Sequence, residues 1–120
     1  MLVERSIEEE FLEKLKAEIV RSLGEVPVHS DMYGKIIDRR HVQRIHNLCK
    51  GSGGKIVFGG VTSEDFDRRK IAPTIISRPL LESSLMTEEI FGPILPVLPF
   101  DTLGEAASMA NRVCRRPLAL

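Results

Sequence analysis

Apolar residues return at helical spacing through the first part of the chain. Ile7, Phe11, Leu12, Leu15, Ile19 and Leu23 form one face of a helix over residues 6–24. Ser6 followed by Glu9 reads as a capping box at its start. Glu8, Glu9 and Glu10 suit the positive end of the helix dipole. Gly24 and then Pro27 mark its end. Residues 28–35 are polar and include Asp31, Tyr33 and Gly34, so they read as a loop. A second helix is expected from Asp38 to Lys50, with Val42, Ile45 and Cys49 on one face and Leu48 beside it.

After the glycine-rich turn Gly51-Ser52-Gly53-Gly54 the period changes. Lys55 to Phe58 reads as a strand, residues 61–70 as a charged surface loop, and Ala72 to Ser77 as a second strand. Residues 79–92 show no clean period. Ile94 to Phe100 is strand-like, but Pro96 and Pro99 forbid a fully paired central strand along its whole length. Thr102 and Glu105 predict a second capping box, opening a helix with Leu103, Ala106, Ala107, Ala110 and Val113 inward. Leu118-Ala119-Leu120 reads as the start of a further strand on which the chain stops, so a piece of something longer is expected. The sum is an α/β reading, with helices packed on a short sheet and no internal repeat.

Composition narrows the function classes. The 120 residues suffice for one compact domain. With 42% hydrophobic and 28% charged residues, the chain is globular in character. Seventeen Lys and Arg balance seventeen Asp and Glu, which argues against nucleic acid as a partner. No apolar run is long enough for a membrane span. Two cysteines make no disulfide framework and fit a reducing compartment, so a cytoplasmic location is expected. One Tyr, five Phe and no Trp leave an aliphatic core.

Most candidate constellations are weak. His41, His46 and Cys49 do not share the spacing of a zinc site and read as helix packing. Cys49 sits near a helix C-terminus, where the dipole disfavours a thiolate. Cys114 lies beside Arg112, Arg115 and Arg116, which favour one, but a bystander role is the simpler reading. The glycine run at 51–54 follows a helix and precedes a strand, the reverse of a phosphate cradle. Arg39-Arg40-His41 and Arg68-Arg69-Lys70 read as solvated surface.

Glu88-Glu89-Ile90-Phe91-Gly92-Pro93 is more informative. Two carboxylates precede an aromatic ring, and Gly-Pro then turns the backbone sharply. A carboxylate can accept hydrogen bonds from both hydroxyls of a ribose diol, and a ring can pack against a planar heterocycle. From the residues alone, a charged turn with a core Phe is the simpler reading.

The same six residues match the EEIFGP motif of the aldehyde dehydrogenase superfamily. Ile71-Ala72-Pro73-Thr74-Ile75 and Pro117-Leu118-Ala119-Leu120 resemble the family's flanking strands. Residues 33–44, from Tyr33-Gly34 through Arg40-His41 to Arg44, resemble its class 3 branch. The resemblance implies a middle slice of the catalytic domain of an enzyme that oxidises aldehydes to carboxylic acids with NAD or NADP. It implies that Glu89 binds the nicotinamide ribose hydroxyls and that Phe91 packs near the nicotinamide, while Glu88, Gly92 and Pro93 shape the turn. The family's nucleophilic cysteine lies in a Gly-Gln-x-Cys setting and its general base in Glu-Leu-Gly-Gly, and neither sequence occurs here. The chain alone is therefore expected to be inactive. A non-catalytic binding or oligomerisation module is the competing expectation. Strands without their family neighbours make a marginal or homo-oligomeric chain the expected state.

Overall fold

The computed structural model describes residues 1–62 and 64–113. In chain order they form β1 (Leu2–Glu4), α1 (Glu8–Leu23), α2 (Arg39–Lys50), β2 (Lys55–Phe58), α3 (Glu64–Arg68), β3 (Thr74–Ser77), α4 (Ser84–Thr87), β4 (Ile94–Phe100) and α5 (Leu103–Val113). The strand expected at Leu118–Leu120 and Cys114 with its neighbouring arginines lie outside the described residues.

The strands make one four-stranded sheet in the order β1-β4-β3-β2. β4 runs parallel to both neighbours, and β2 is antiparallel to β3. Successive side chains on a strand point to opposite faces. Val3, Ile75 and Val97 therefore meet Phe11, Leu12, Leu15 and Ile19 of α1. Ile76 and Ile94 meet Val42, Ile45, Leu48 and Cys49 of α2, with Leu85 of α4. Covering both faces explains why every residue of β3, the polar Thr74 and Ser77 included, is buried, with Ile75 and Ile76 adjacent instead of alternating with exposed positions.

The two prolines of β4 fit a central position because its halves pair on different sides. Residues 94–97 pair with β3 and residues 98–100 with β1. Val97 turns its carbonyl toward β3, accepting from Arg78 N–H at 2.8 Å, and Leu98 turns its N–H toward β1, donating to Met1 O at 3.0 Å. By that alternation Pro96 faces the β1 side ahead of the paired residues 98–100, and Pro99 faces the β3 side beyond Ser77. Each missing N–H thus falls where no ladder bond is formed.

Several expectations change. The first helix does not open on a Ser6–Glu9 box. Residues Arg5–Ile7 form a 3-10 turn, Ser6 Oγ donates to the Glu4 carboxylate, and the Ile7 cap has no side-chain hydrogen bond. The expected loop at 61–70 contains α3, and both Asp65 and Lys70 are buried. A short helix, α4, occupies part of the unpatterned stretch 79–92. Leu103 points out, 82% exposed, because as the first residue of α5 it lies beyond the sheet's cover. The Thr102 cap does form, with Oγ1 accepting from Glu105 N–H at 3.2 Å. The Glu105 carboxylate accepts in turn from the N–H of Asp101, one residue before the cap.

Candidate functional site

The segment 88–93 links the C-terminus of α4 to the start of β4 and is fastened at three places. Glu88 N–H closes the last turn of α4 on Ser84 O at 3.0 Å. Thr74 N–H donates to Pro93 O at 2.8 Å, tying the segment to β3. Between these, the Arg44 guanidinium on α2 donates through Nη1 to Glu89 O at 3.1 Å and through Nη2 to Ile90 O. Ile90 packs against the core cluster, and that anchor sends its neighbours outward.

Phe91 takes a left-handed backbone with φ of 47°, a conformation costly for a residue with a Cβ. The residue is 75% exposed. Gly92 follows against the helix: a Cβ there would lie 2.6 Å from Ile45 Cδ1. The Gly92 carbonyl accepts from Ile94 N–H at 2.9 Å across Pro93, whose fixed φ suits so tight a turn.

The ring faces a hollow of about 450 Å³ lined by Lys35, Ile36, Ile37, His41 and Phe91. Its far wall is the loop at residues 30–37. That loop is pinned by Tyr33 Oη donating to Ile71 O at 2.8 Å, by Ile36 N–H donating to Arg69 O at 2.6 Å, and by Arg69 Nη1 donating to Ile37 O at 2.8 Å. Lys70 Nζ donates to Ser30 O. The basic run 68–70 is thus partly structural, not wholly solvated surface. Asp38 caps α2 by accepting from His41 N–H at 2.9 Å, and that bond holds its carboxyl below the usual range. The cap sets the first turn of α2, and with it His41.

Glu89 and Phe91, the two residues singled out in the sequence, are both exposed beside one another at this turn. The alternative of a core Phe is excluded by the exposure of the ring. The Glu89 carboxylate has no hydrogen bond or ion pair with a described residue. A free acceptor and an uncovered ring on a fastened backbone fit a ribose and a flat heterocycle. Arg44 is not among the residues the sequence singles out for the site: its signals there are its place at the end of the stretch 33–44 and one residue before Ile45, which α2 buries.

Among the described residues, His46 and Cys49 are accounted for by packing. His46 meets Phe66 edge to face at 6.0 Å between ring centres. Cys49 is buried among Val42, Ile45 and Leu85, and burial pushes its thiol up to about 11. No group of metal-ligating side chains occurs among the described residues. No helix among them is long and apolar enough to cross a membrane.

A sequence profile of the aldehyde dehydrogenase family matches residues 1–114. The chain is 39% identical over 120 residues to a bovine (Bos taurus) dimeric NADP-preferring aldehyde dehydrogenase, covering all of this chain and 48% of that protein. It is also 39% identical over 120 residues to aldehyde dehydrogenase family 3 member A2 of Pongo abelii, again with all of this chain and 24% of that protein. The structure of a substrate-bound Staphylococcus aureus AldH superposes with a TM-score of 0.82 at 34% identity, covering 92% of this chain and 24% of that one. A Mycobacterium tuberculosis aldehyde dehydrogenase complexed with NAD+ superposes with a TM-score of 0.73 at 27% identity, covering 92% of this chain and 24% of that one. The chain therefore spans about half of the bovine relative and about a quarter of the others.

Proposed function

The chain belongs to the aldehyde dehydrogenase family, and from that premise we propose that it supplies the nicotinamide-ribose site of NAD- or NADP-dependent aldehyde oxidation. The observation carrying this reading is the exposed, unpaired Glu89 carboxylate next to the exposed Phe91 ring on a turn tied to α2, α4 and β3. NAD or NADP, when bound, accepts hydride from the aldehyde-derived carbon. Glu89 accepts hydrogen bonds from the ribose hydroxyls, and Phe91 limits the positions of the nicotinamide. Their contribution is orientation: fixing the ring over the reacting carbon lowers the entropy cost of the transfer.

The 120 residues contain neither Gly-Gln-x-Cys nor Glu-Leu-Gly-Gly. Cys49, buried with a raised thiol, is a poor nucleophile. The chain alone accordingly holds nucleotide without oxidising aldehyde, and turnover needs a cysteine and a base from other sequence. Its place is the cytoplasm, in line with two cysteines and no disulfide framework.

A second reading, a self-associating module, is favoured by one observation. β2 pairs only with β3 among the described strands, and Ile56 on it is 45% exposed. An edge of that kind is a template for a second copy.

The test combines turnover and binding. Purified chain with NAD+ and a panel of aldehydes is expected to form no NADH. Saturation-transfer NMR is expected to report nicotinamide-ribose protons of NADH against the chain, and Glu89→Gln is expected to remove that signal. Any aldehyde turnover by the purified chain overturns its inactivity, and an NADH signal indifferent to Glu89→Gln overturns the ribose site.

A further inference from the structure

We propose that Arg44 is a positioning residue for the nucleotide site, acting on the Glu89–Phe91 turn through its backbone. The inference rests on the ribose-site reading and extends it to a residue 45 positions away in the sequence. One guanidinium donates to two consecutive carbonyls, Glu89 O and Ile90 O. Those carbonyls immediately precede Phe91, the residue held at positive φ. Left alone, a turn with a non-glycine residue in the left-handed region relaxes toward the ordinary basins. Two donors in the rigid fork of an arginine fix both peptide planes at once, which a single point charge cannot do.

The remaining supports place Arg44 in a coherent unit. Ile45, the next residue on α2, is fully buried and touches the bare Cα face of Gly92. Helix and turn therefore meet twice, by hydrogen bonds before Phe91 and by packing after it. Arg44 is half-buried, so its bonds to the carbonyls are less exposed to competing water than a surface contact. With the turn fixed, the Glu89 side chain starts from a defined Cα position, and less order has to be imposed when nucleotide binds.

The experiment uses the whole 120-residue chain with NADH as probe. Heteronuclear NOEs report backbone order at residues 88–93, titration gives the NADH affinity, and thermal unfolding reports global stability. Arg44→Ala is expected to lower the NOEs at residues 89–92 and to weaken NADH binding by about fivefold or more, an ordering penalty of about 1 kcal/mol, with the amides of α2 keeping their order. Arg44→Lys, which can restore one donor but not the fork, is expected to lie between. Millimolar guanidinium ion added to Arg44→Ala is expected to recover part of the affinity. Lys14→Ala, on the exposed face of α1, serves as the silent control.

Unchanged NOEs at 89–92 in Arg44→Ala overturn the proposal. So does weaker NADH binding with the turn still ordered, because Arg44 then acts on the ligand itself. Wild-type binding that Glu89→Gln abolishes but Arg44→Ala leaves intact removes the role of Arg44 and spares the ribose site. Absence of NADH binding by the wild-type chain removes both. Should Arg44→Ala unfold, the Arg44→Lys series with its own NOEs decides.

Discussion

Arg78 grips Glu8 with a two-point hydrogen bond, Nη2 to Oε2 at 2.6 Å and Nε to Oε1 at 3.3 Å, joining the first residue of α1 to the residue after β3. Ser77 Oγ adds a third contact to Oε1 at 3.3 Å. Glu8 is buried, so the pair works in a partly dry setting and replaces the missing side-chain cap as the fastening of α1 to the sheet.

The hydrogen bonds from Arg78 hold the Glu8 carboxyl below the usual carboxylate range, against the opposing effect of burial. A lowered carboxyl contributes stability that is present above its unfolded value, about 4.3, and is lost as pH falls through the folded value. Glu8→Gln is therefore expected to cost about 1–2 kcal/mol at neutral pH, with the gap to wild type closing as pH drops below about 4. Thermal unfolding across that range checks it, and a gap independent of pH counts against the ion pair as the cause.

Phe91 holds an unfavourable backbone and an exposed ring, a combination that stability alone does not explain. Phe91→Gly removes a left-handed penalty of about 1–2 kcal/mol and returns about 0.5–1 kcal/mol through the freer unfolded chain. The variant is expected to unfold at the same or a higher temperature while its NADH signal fades. A clearly lower midpoint means that the ring supports the fold, and the functional reading of its exposure fails.

How much could be read from the sequence depended on how many turns of pattern each element offers. α2 shows four buried residues at helical spacing behind an Asp38 cap, and its expected and observed limits differ by one residue. β2 and β4 have the limits expected, because short apolar runs there are flanked by glycine or proline. β1 offers three residues, too few for an alternation to show, and owes its strand state to β4. α3 contains one large apolar residue, Phe66, and its burial depends on contact with α2. Ser6 had the right neighbours for a cap, but the 3-10 turn carries its hydroxyl to Glu4.

The site divides in the same way. Glu89 and Phe91 stand two apart in a motif and could be singled out from it. That Phe91 faces solvent depends on Ile90 finding the core on the α2 side of the sheet. Arg44 acts on that turn only because α2 crosses it, a tertiary fact without a local trace in the chain.

Cys49 offers a check on the packing of α2. Burial raises its thiol from an ordinary 9.0 to about 11, leaving about a hundredfold less thiolate at pH 8. Alkylation mapped by peptide mass spectrometry is expected to be slow at Cys49 in the native chain and to speed up sharply in denaturant. Fast native modification there means that α2 opens readily and that the hollow beside Phe91 is not held by a rigid wall.

Gly92 and Ile45 form the packing half of the joint between α2 and the turn. The clash is with the end of a side chain, but Ile45 is fully buried against Val42, Ile76 and Leu85 and has little room to swing away. Gly92→Ala is expected to cost about 1–3 kcal/mol by overpacking, and Ile45→Val alone about 0.5–1.5 kcal/mol by loss of one methyl group. Valine lacks Cδ1, the atom nearest the added methyl, so the double variant is expected to cost less than the sum by about 0.5 kcal/mol or more. Chemical denaturation of the four chains closes the cycle. Strict additivity would show that the turn moves away from α2 instead of pressing on it, and in that event Arg44, whose bonds span the same gap, could not hold Glu89 and Ile90 at their observed distance either.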